Sequence, residues 1–342
     1  MVESAEGHEL IDVDGRRYLD GVGSLWCNIF GHRRPEIDKA VREQLARVAH
    51  ATFLGNAGVP GVVLAKRLAE LAPEGLTRVF YSDSGSTAVE VAIKMALQFW
   101  SQVEGGAHAQ RTRFLSFGEA YHGDTIGSVS VGGMDLFHAR FGPMLFEAER
   151  CPSPYHRRRD ADGDEERWLA LASEDLEAAL SRSGERIAAI VLEPGMQGAA
   201  GMLTQPSGYV RRVRELADRA GTLLILDEVA MGMGRSGRMF ASEAEGVVPD
   251  LLCLAKGLTG GYLPLAATLA KEHIFEAFLG PPEEGKTFFH GHTYTGNALG
   301  CAAALATLDV FEKESLVERL PERISALNER LERLRSMPHV AD

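Results

Sequence analysis

Two short runs, IAAIVL (187–192) and LLIL (223–226), are apolar without interruption, and acidic residues follow each at once: Glu193 after the first, Asp227 and Glu228 after the second. A strand with apolar side chains on both faces of its pleat has to be covered on both sides, as in a parallel sheet flanked by helices. These runs are also too short for core helices. RVFYSDSGS (78–86) reads as a further strand feeding a helix. In that helix Val89, Ala92, Ile93, Ala96 and Phe99 recur at helical spacing, and Thr87 and Glu90 have the offsets of a capping box. RFLSF (113–117) adds another strand. The alternation predicts an α/β fold with a mostly parallel central sheet and helices on both faces.

The ends of the chain differ from its middle. Residues 9 to 20, ELIDVDGRRYLD, alternate about Asp14-Gly15 and predict a β-hairpin. From Leu316 to Met337 the spacing predicts an amphipathic helix striped by Leu320, Ile324, Leu327, Leu331 and Leu334. The charged stretch RRRDADGDEER (157–167) reads as a solvated loop. A formal net charge of −12 argues against nucleic acid as a main partner, since phosphate binding needs a basic footprint. Cys27, Cys151, Cys253 and Cys301 form no C-x-x-C pair and fit reduced thiols. No leader or membrane-length apolar run is recognisable, so a cytoplasmic location is expected.

Ligands of open α/β sheets gather at the carboxyl ends of the strands, which is where Glu193, Asp227 and the SGS of 84–86 fall. Asp227 is readable as a helix cap or surface acid, or as a buried acid facing a cationic ligand atom. SGS at a helix start offers N–H groups and hydroxyls to an anion. Between Asp250 and Lys271 the sole charged side chain is Lys256, set among Leu, Ala and Gly. It is either a snorkelling side chain or a desolvated amine with a lowered pKa. Bringing such an amine from about 10.4 toward 7 or 8 takes roughly 3 to 4 kcal/mol from its surroundings. The neutral form attacks aldehydes. An anion cradle, a strand-end acid and an apolar lysine match the phosphate, ring nitrogen and aldehyde of pyridoxal 5'-phosphate.

The segments YSDSGSTAVEVAIKMALQFW, YHGDTIGSVSVG, LEPGMQGAAGM, LDEVAMGMGRSG, LAKGLTGGYLPLAATLA and FFHGHTYTGNALGCA, in that order, resemble the blocks of class III aminotransferases. The resemblance covers nearly the whole chain. It implies the pyridoxal-phosphate transferase fold of type I, with an incomplete small α/β domain beside the large one: residues 1–33 in the small domain, 34–304 in the coenzyme-binding domain, and 305–342 as the start of a C-terminal small domain. It implies that Lys256 attaches the coenzyme, that Asp227 pairs with the pyridine nitrogen, and that Gly85 and Ser86 hold the phosphate. Tyr121 then covers the ring face and Thr293 reaches the phosphate of a neighbouring subunit, so a homodimer with shared sites is expected. Within the family the segments look most like the branch that aminates 8-amino-7-oxononanoate in biotin synthesis, with S-adenosylmethionine or lysine as donor. Trp26 is then the residue on the long keto-acid chain; the residue alone can also be read as a core aromatic.

Other readings stand beside this one. Family members begin earlier, with a substrate-side tyrosine, and continue past residue 342 to a carboxylate-clamping arginine, so a chain truncated at both ends is expected. That leaves a relative that binds coenzyme without turnover as an alternative, along with another ω-aminotransferase using pyruvate or 2-oxoglutarate. Arg235 is the in-range cation that matches the family pattern. Met231 and Met233 replace the usual Thr and Phe and are expected to tune the pocket. GMGRSG (232–237) satisfies a dinucleotide fingerprint, but two acids precede it and no clear helix pattern follows. His290 and His292 have no third metal ligand at useful spacing, and no metal is expected.

Overall fold

A seven-stranded mixed sheet carries the fold. In this computed structural model, which describes residues 1–335 and 337–340, its strands are β4 (Leu76–Ser82), β5 (Arg113–Phe117), β6 (Glu149–Cys151), β7 (Ile187–Leu192), β10 (Leu223–Asp227), β11 (Leu251–Leu254) and β12 (Ala266–Lys271), in the order β4-β12-β11-β10-β7-β5-β6. The pairs β5–β6, β5–β7, β7–β10 and β10–β11 are parallel. Strand β12 runs against both neighbours. A separate antiparallel sheet joins β1 (Val2–Glu6), β2 (Glu9–Asp12) and β3 (Arg17–Leu19), and a small hairpin joins β8 (Met196–Gln197) to β9 (Leu203–Thr204).

The uninterrupted apolar strands serve two cores. Successive side chains of a strand point to opposite faces: Leu224 and Leu226 pack with Leu64, Leu68, Leu252 and Leu308, whereas Leu223 and Ile225 pack with Ala88, Ala92, Val191 and Leu251. The helix Gly85–Gln102 covers the second face with Ala88, Val89, Ala92, Ile93 and Ala96. Its capping box is Ser84 with Thr87, one turn earlier than the Thr87/Glu90 offsets suggested. Glu90 instead accepts a hydrogen bond from Gly127 N at 2.7 Å.

Asp250 staples this sheet together. Its carboxylate accepts bonds from Leu224 N at 2.8 Å, Arg214 Nη1 at 2.7 Å and Lys271 Nζ at 3.0 Å. The three donors lie on β10, the helix Tyr209–Ala220 and β12. Asp250→Ala leaves Lys271 and a strand N–H without their acceptor and Arg214 with Asp218 as its remaining partner, and breaking such a cluster costs about 3–5 kcal/mol. Chemical denaturation of the variant should show a loss of that order.

The charged stretch 157–167 is not a plain loop. Its first half belongs to a 3-10 segment, Pro154–Ala161, and its end opens the helix Glu165–Ser183. Arg157 pins it by a bidentate pair to Asp175 at 2.6 and 2.7 Å; the sequence pattern could not reveal this partner, which lies a helical segment away. The expected hairpin is present as β2 and β3, with β1 added at its edge. The C-terminal helix spans Leu316–Arg335; Ser336, within the stretch expected to be helical, lies outside the described residues, as do Ala341 and Asp342. Its stripe is largely uncovered, with Ile324, Leu327, Leu331 and Leu334 all exposed, while Leu320 packs on the core.

Candidate active site

The strand register brings the chemistry together. Leu192 pairs with Leu226 and Asp227 with Cys253, so Glu193, Asp227 and Lys256 leave adjacent parallel strands at the same sheet edge. They line one cavity of about 400 Å³ with Ser84, Gly85, Ser86, Tyr121 and Trp26. Lys256, Asp227, Gly85, Ser86, Tyr121 and Trp26 all line it, whereas Thr293 does not. That residue is exposed on a surface turn outside this cavity, and Arg235 stays outside the wall as well.

Lys256 opens a 3-10 turn directly after β11, with φ of +44°. A non-glycine residue in the left-handed region stores strain of about 1–3 kcal/mol, sustained only by the surrounding structure. The turn brings Nζ to 4.8 Å from the centroid of the Trp26 ring. Burial lowers the lysine pKa, against the opposing pull of Asp227 and Glu193. The amine is therefore shielded, yet accessible to a ligand in the cavity.

Asp227 is held from two sides. His122 Nδ1 lies 2.8 Å from one carboxylate oxygen, and Val229 N donates to the other at 3.0 Å. His122 is buried, and its Nε2 has no hydrogen-bond partner. A histidine beside the acid was legible in YHG as a residue, but its strand-end neighbour is 105 positions away and carries no local signal.

The opposite end of the cavity is a helix start. Ser84 caps Gly85–Gln102, and the first intrahelical bond runs from Ala88 N to Ser84 O. The N–H groups of Gly85 and Ser86 precede that ladder and remain available to an anion. The backbone approach is close: a Cβ on Gly85 would fall 2.5 Å from Val229 Cγ1, and one on Gly123 would fall 2.0 Å from Ser86 Oγ. Ser86 Oγ accepts from Asp124 N at 3.2 Å, and Tyr121 OH donates to Asp124 at 2.8 Å. Burial, reinforced by Asp124, pushes the Tyr121 phenol up to about 12, so it stays neutral.

Trp26 is the other wall. Ser24, Leu25 and Trp26 all have left-handed φ values, 48°, 65° and 70°. Asp20 fixes this turn by accepting from Ser24 N and Ser24 Oγ, and Arg235 Nη2 donates to Trp26 O at 3.1 Å. Arg235 is thus placed as a brace on the tryptophan backbone. Met231 and Met233 are buried and are not among the residues that line the cavity; Met233 belongs to the core, and a Cβ on Gly198 would meet both Met231 Cε, at 3.4 Å, and Trp26 Cζ3, at 3.5 Å. Wall residues that went unassigned in the sequence include Cys27, next to Trp26, Ala199, and Gly261 with Tyr262–Leu265.

Two buried acids give the fold a pH signature. Burial pushes Glu193 and Glu228 up to about 7 from 4.5. Glu228 accepts from Ala241 N at 2.6 Å and Ser242 N at 2.9 Å. A raised folded-state pKa means that the native state holds the proton more tightly. The resulting stabilisation is complete below pH 4.5 and is lost as pH rises through about 7. Thermal midpoints should fall across that window, and Glu228→Gln should flatten the slope.

Comparison with known proteins places these features. The family profile described as aminotransferase class III matches residues 1–342. The adenosylmethionine-8-amino-7-oxononanoate aminotransferase of Nitratidesulfovibrio vulgaris is 57% identical over 342 residues, covering 100% of this chain and 63% of its own. The crystal structure of the enzyme of that name from Methanocaldococcus jannaschii superposes with a TM-score of 0.92 at 43% identity, covering 100% of this chain and 75% of that one. An amine transaminase from an uncultivated Pseudomonas species, in a pyridoxal-phosphate-bound form, gives 0.91 at 40%, covering 97% and 75%. The chain thus spans 63% to 75% of the length of these relatives.

Proposed function

The chain belongs to the class III aminotransferases, and from that premise we propose that it is a pyridoxal-phosphate-dependent aminotransferase that converts 8-amino-7-oxononanoate to 7,8-diaminononanoate, with S-adenosylmethionine or lysine as donor. The observation that carries the reading is the convergence of Lys256, Asp227 and the Gly85-Ser86 helix start on one cavity. The residues fit the coenzyme. A buried amine faces the cavity, an acid braced by His122 stands beside it, and the tight Gly85 and Gly123 approaches leave backbone N–H groups for a phosphate.

When bound, the coenzyme supplies an electron sink for the carbanion formed at the substrate carbon. The rest is the work of this chain's residues. Lys256 would supply the amine that holds the coenzyme's aldehyde, and the same amine is placed to act as the base that carries the proton at the substrate carbon. Asp227 holds a proton on the ring nitrogen, and the bond from His122 keeps its carboxylate oriented toward that task. Gly85 and Ser86 bind the phosphate at the positive end of their helix. Tyr121, neutral and tied to Asp124, covers one ring face. Trp26 offers its indole to the long acceptor chain. Donor and acceptor use one site in turn, which gives ping-pong kinetics.

The site is shared in the proposed homodimer. Thr293 sits on an exposed turn beside Phe289 and Tyr294, which are 82% and 59% exposed, and in this reading it contacts the partner's phosphate. The division into 1–33, 34–304 and 305–342 is kept as a proposal: β1–β3 share no ladder with the large sheet, which supports the first boundary, whereas the second falls inside the helix Ala298–Glu314. All four cysteines are unpaired, which suits the reducing cytoplasm assigned to it; among the described residues no helix is long and apolar enough to cross a membrane. Incubating the purified protein with coenzyme, 8-amino-7-oxononanoate and either donor should yield the diamine. Coenzyme binding without product would favour the non-catalytic relative, and product only with pyruvate or 2-oxoglutarate partners would favour another ω-aminotransferase.

A further inference from the structure

We propose that Glu193 is a positioning residue whose carboxylate joins the two walls of the cavity, fixing the ring-covering Tyr121 at a set distance from the turn that begins at Gly198. The inference rests on the coenzyme reading above, since Tyr121 matters only if a ring lies against it.

Glu193 follows β7 and is 5% exposed. A buried carboxylate is retained at a cost unless its oxygens are satisfied, and among the described residues no Lys or Arg lies within ion-pair distance of it. What it has are two backbone donors, one per oxygen: Tyr121 N to Oε1 and Gly198 N to Oε2, each at 3.0 Å. His122, Asp227 and Lys256 are the charged or titratable groups that face it.

Neither wall needs this carboxylate simply to fold. The β8–β9 hairpin closes through its own pairs, Met196 with Thr204 and Gln197 with Leu203. The Gln205 side chain ties its base by donating to Glu193 O at 2.7 Å and accepting from Gly195 N at 2.9 Å. Tyr121 has its own anchor in Asp124. What the carboxylate adds is the bond between the two.

That bond has consequences for binding. Tyr121 and Ala199 both line the cavity, and Gly198 underlies the indole, since a Cβ there would fall 3.5 Å from Trp26 Cζ3. One side chain therefore sets both the tilt of the ring-covering tyrosine and the floor beneath Trp26. Glutamine at 193 keeps one acceptor but turns an amide donor toward the second N–H. Aspartate keeps the charge but falls a methylene short of spanning both.

The test compares wild type, Glu193→Gln, Glu193→Asp and Gln205→Ala, each titrated with pyridoxal phosphate and read by the visible circular dichroism of the bound coenzyme, with far-ultraviolet signal as the folding control. Both Glu193 variants should bind coenzyme with altered band amplitude and about tenfold weaker affinity, as one lost charge-assisted bond implies. Gln205→Ala, which loosens the hairpin without touching the Tyr121 bond, should leave the band as in wild type. Unchanged band and affinity in whichever Glu193 variants fold, or an equal shift in Gln205→Ala, would overturn the proposal. Failure of the wild type to bind pyridoxal phosphate would instead defeat the coenzyme reading.

Discussion

Lys256→Ala should abolish covalent attachment of pyridoxal phosphate and lower turnover by about 10⁴-fold, the upper range for removal of a positioned general base. The size of the effect follows from the burial and placement of the side chain. Lys256 sits on a strained left-handed residue at the end of β11, with its ammonium over the Trp26 ring and its charged form disfavoured by burial. Among the described residues no other lysine lines the cavity, so no neighbouring amine stands ready to take over. The measurement is absorbance of the coenzyme-loaded variant alongside single-turnover rates. Added methylamine should restore part of the rate, because the cavity vacated by the butylamine chain admits a small base; a variant that was merely misfolded would not respond.

Asp227→Asn is the second large effect expected. The acid is 4% exposed and its two oxygens are engaged by His122 and Val229 N. An amide of the same shape preserves packing but cannot keep a pyridinium proton by charge. The half-reaction should slow by about 10²–10³-fold, the usual range for a preorganised electrostatic group. Coenzyme should still attach at Lys256, so a rate loss with intact trapping distinguishes this role from that of the lysine. A rate near wild type would remove Asp227 from the ring nitrogen.

The parts of the fold legible in the sequence were those set by local pattern. Apolar runs as pure as IAAIVL and LLIL admit few alternatives to doubly covered strands, and β7 and β10 lie where those runs do. The isolation of Lys256 in an apolar segment was equally plain, because an unpaired cation in such a run calls for an explanation. What stayed hidden depends on contacts between distant positions. The bond between His122 and Asp227 spans 105 residues, and the clasp of Glu193 on Tyr121 spans 72; no periodicity encodes either. Arg157 illustrates the same limit in a charged stretch, where the pattern looked solvated and a partner 18 residues on decided otherwise. The helix cap at Ser84 was misplaced by one turn because Thr87 and Glu90 mimic the spacing of the true pair.

Peptide mapping of the wild-type protein after borohydride reduction in the presence of pyridoxal phosphate tests the whole account most directly. A single modified peptide, LLCLAKGLTGGYLPLAATLAK or a fragment of it, carrying the label on Lys256 is the result the account predicts. A label on any other lysine, or no label on a folded protein saturated with coenzyme, would contradict it.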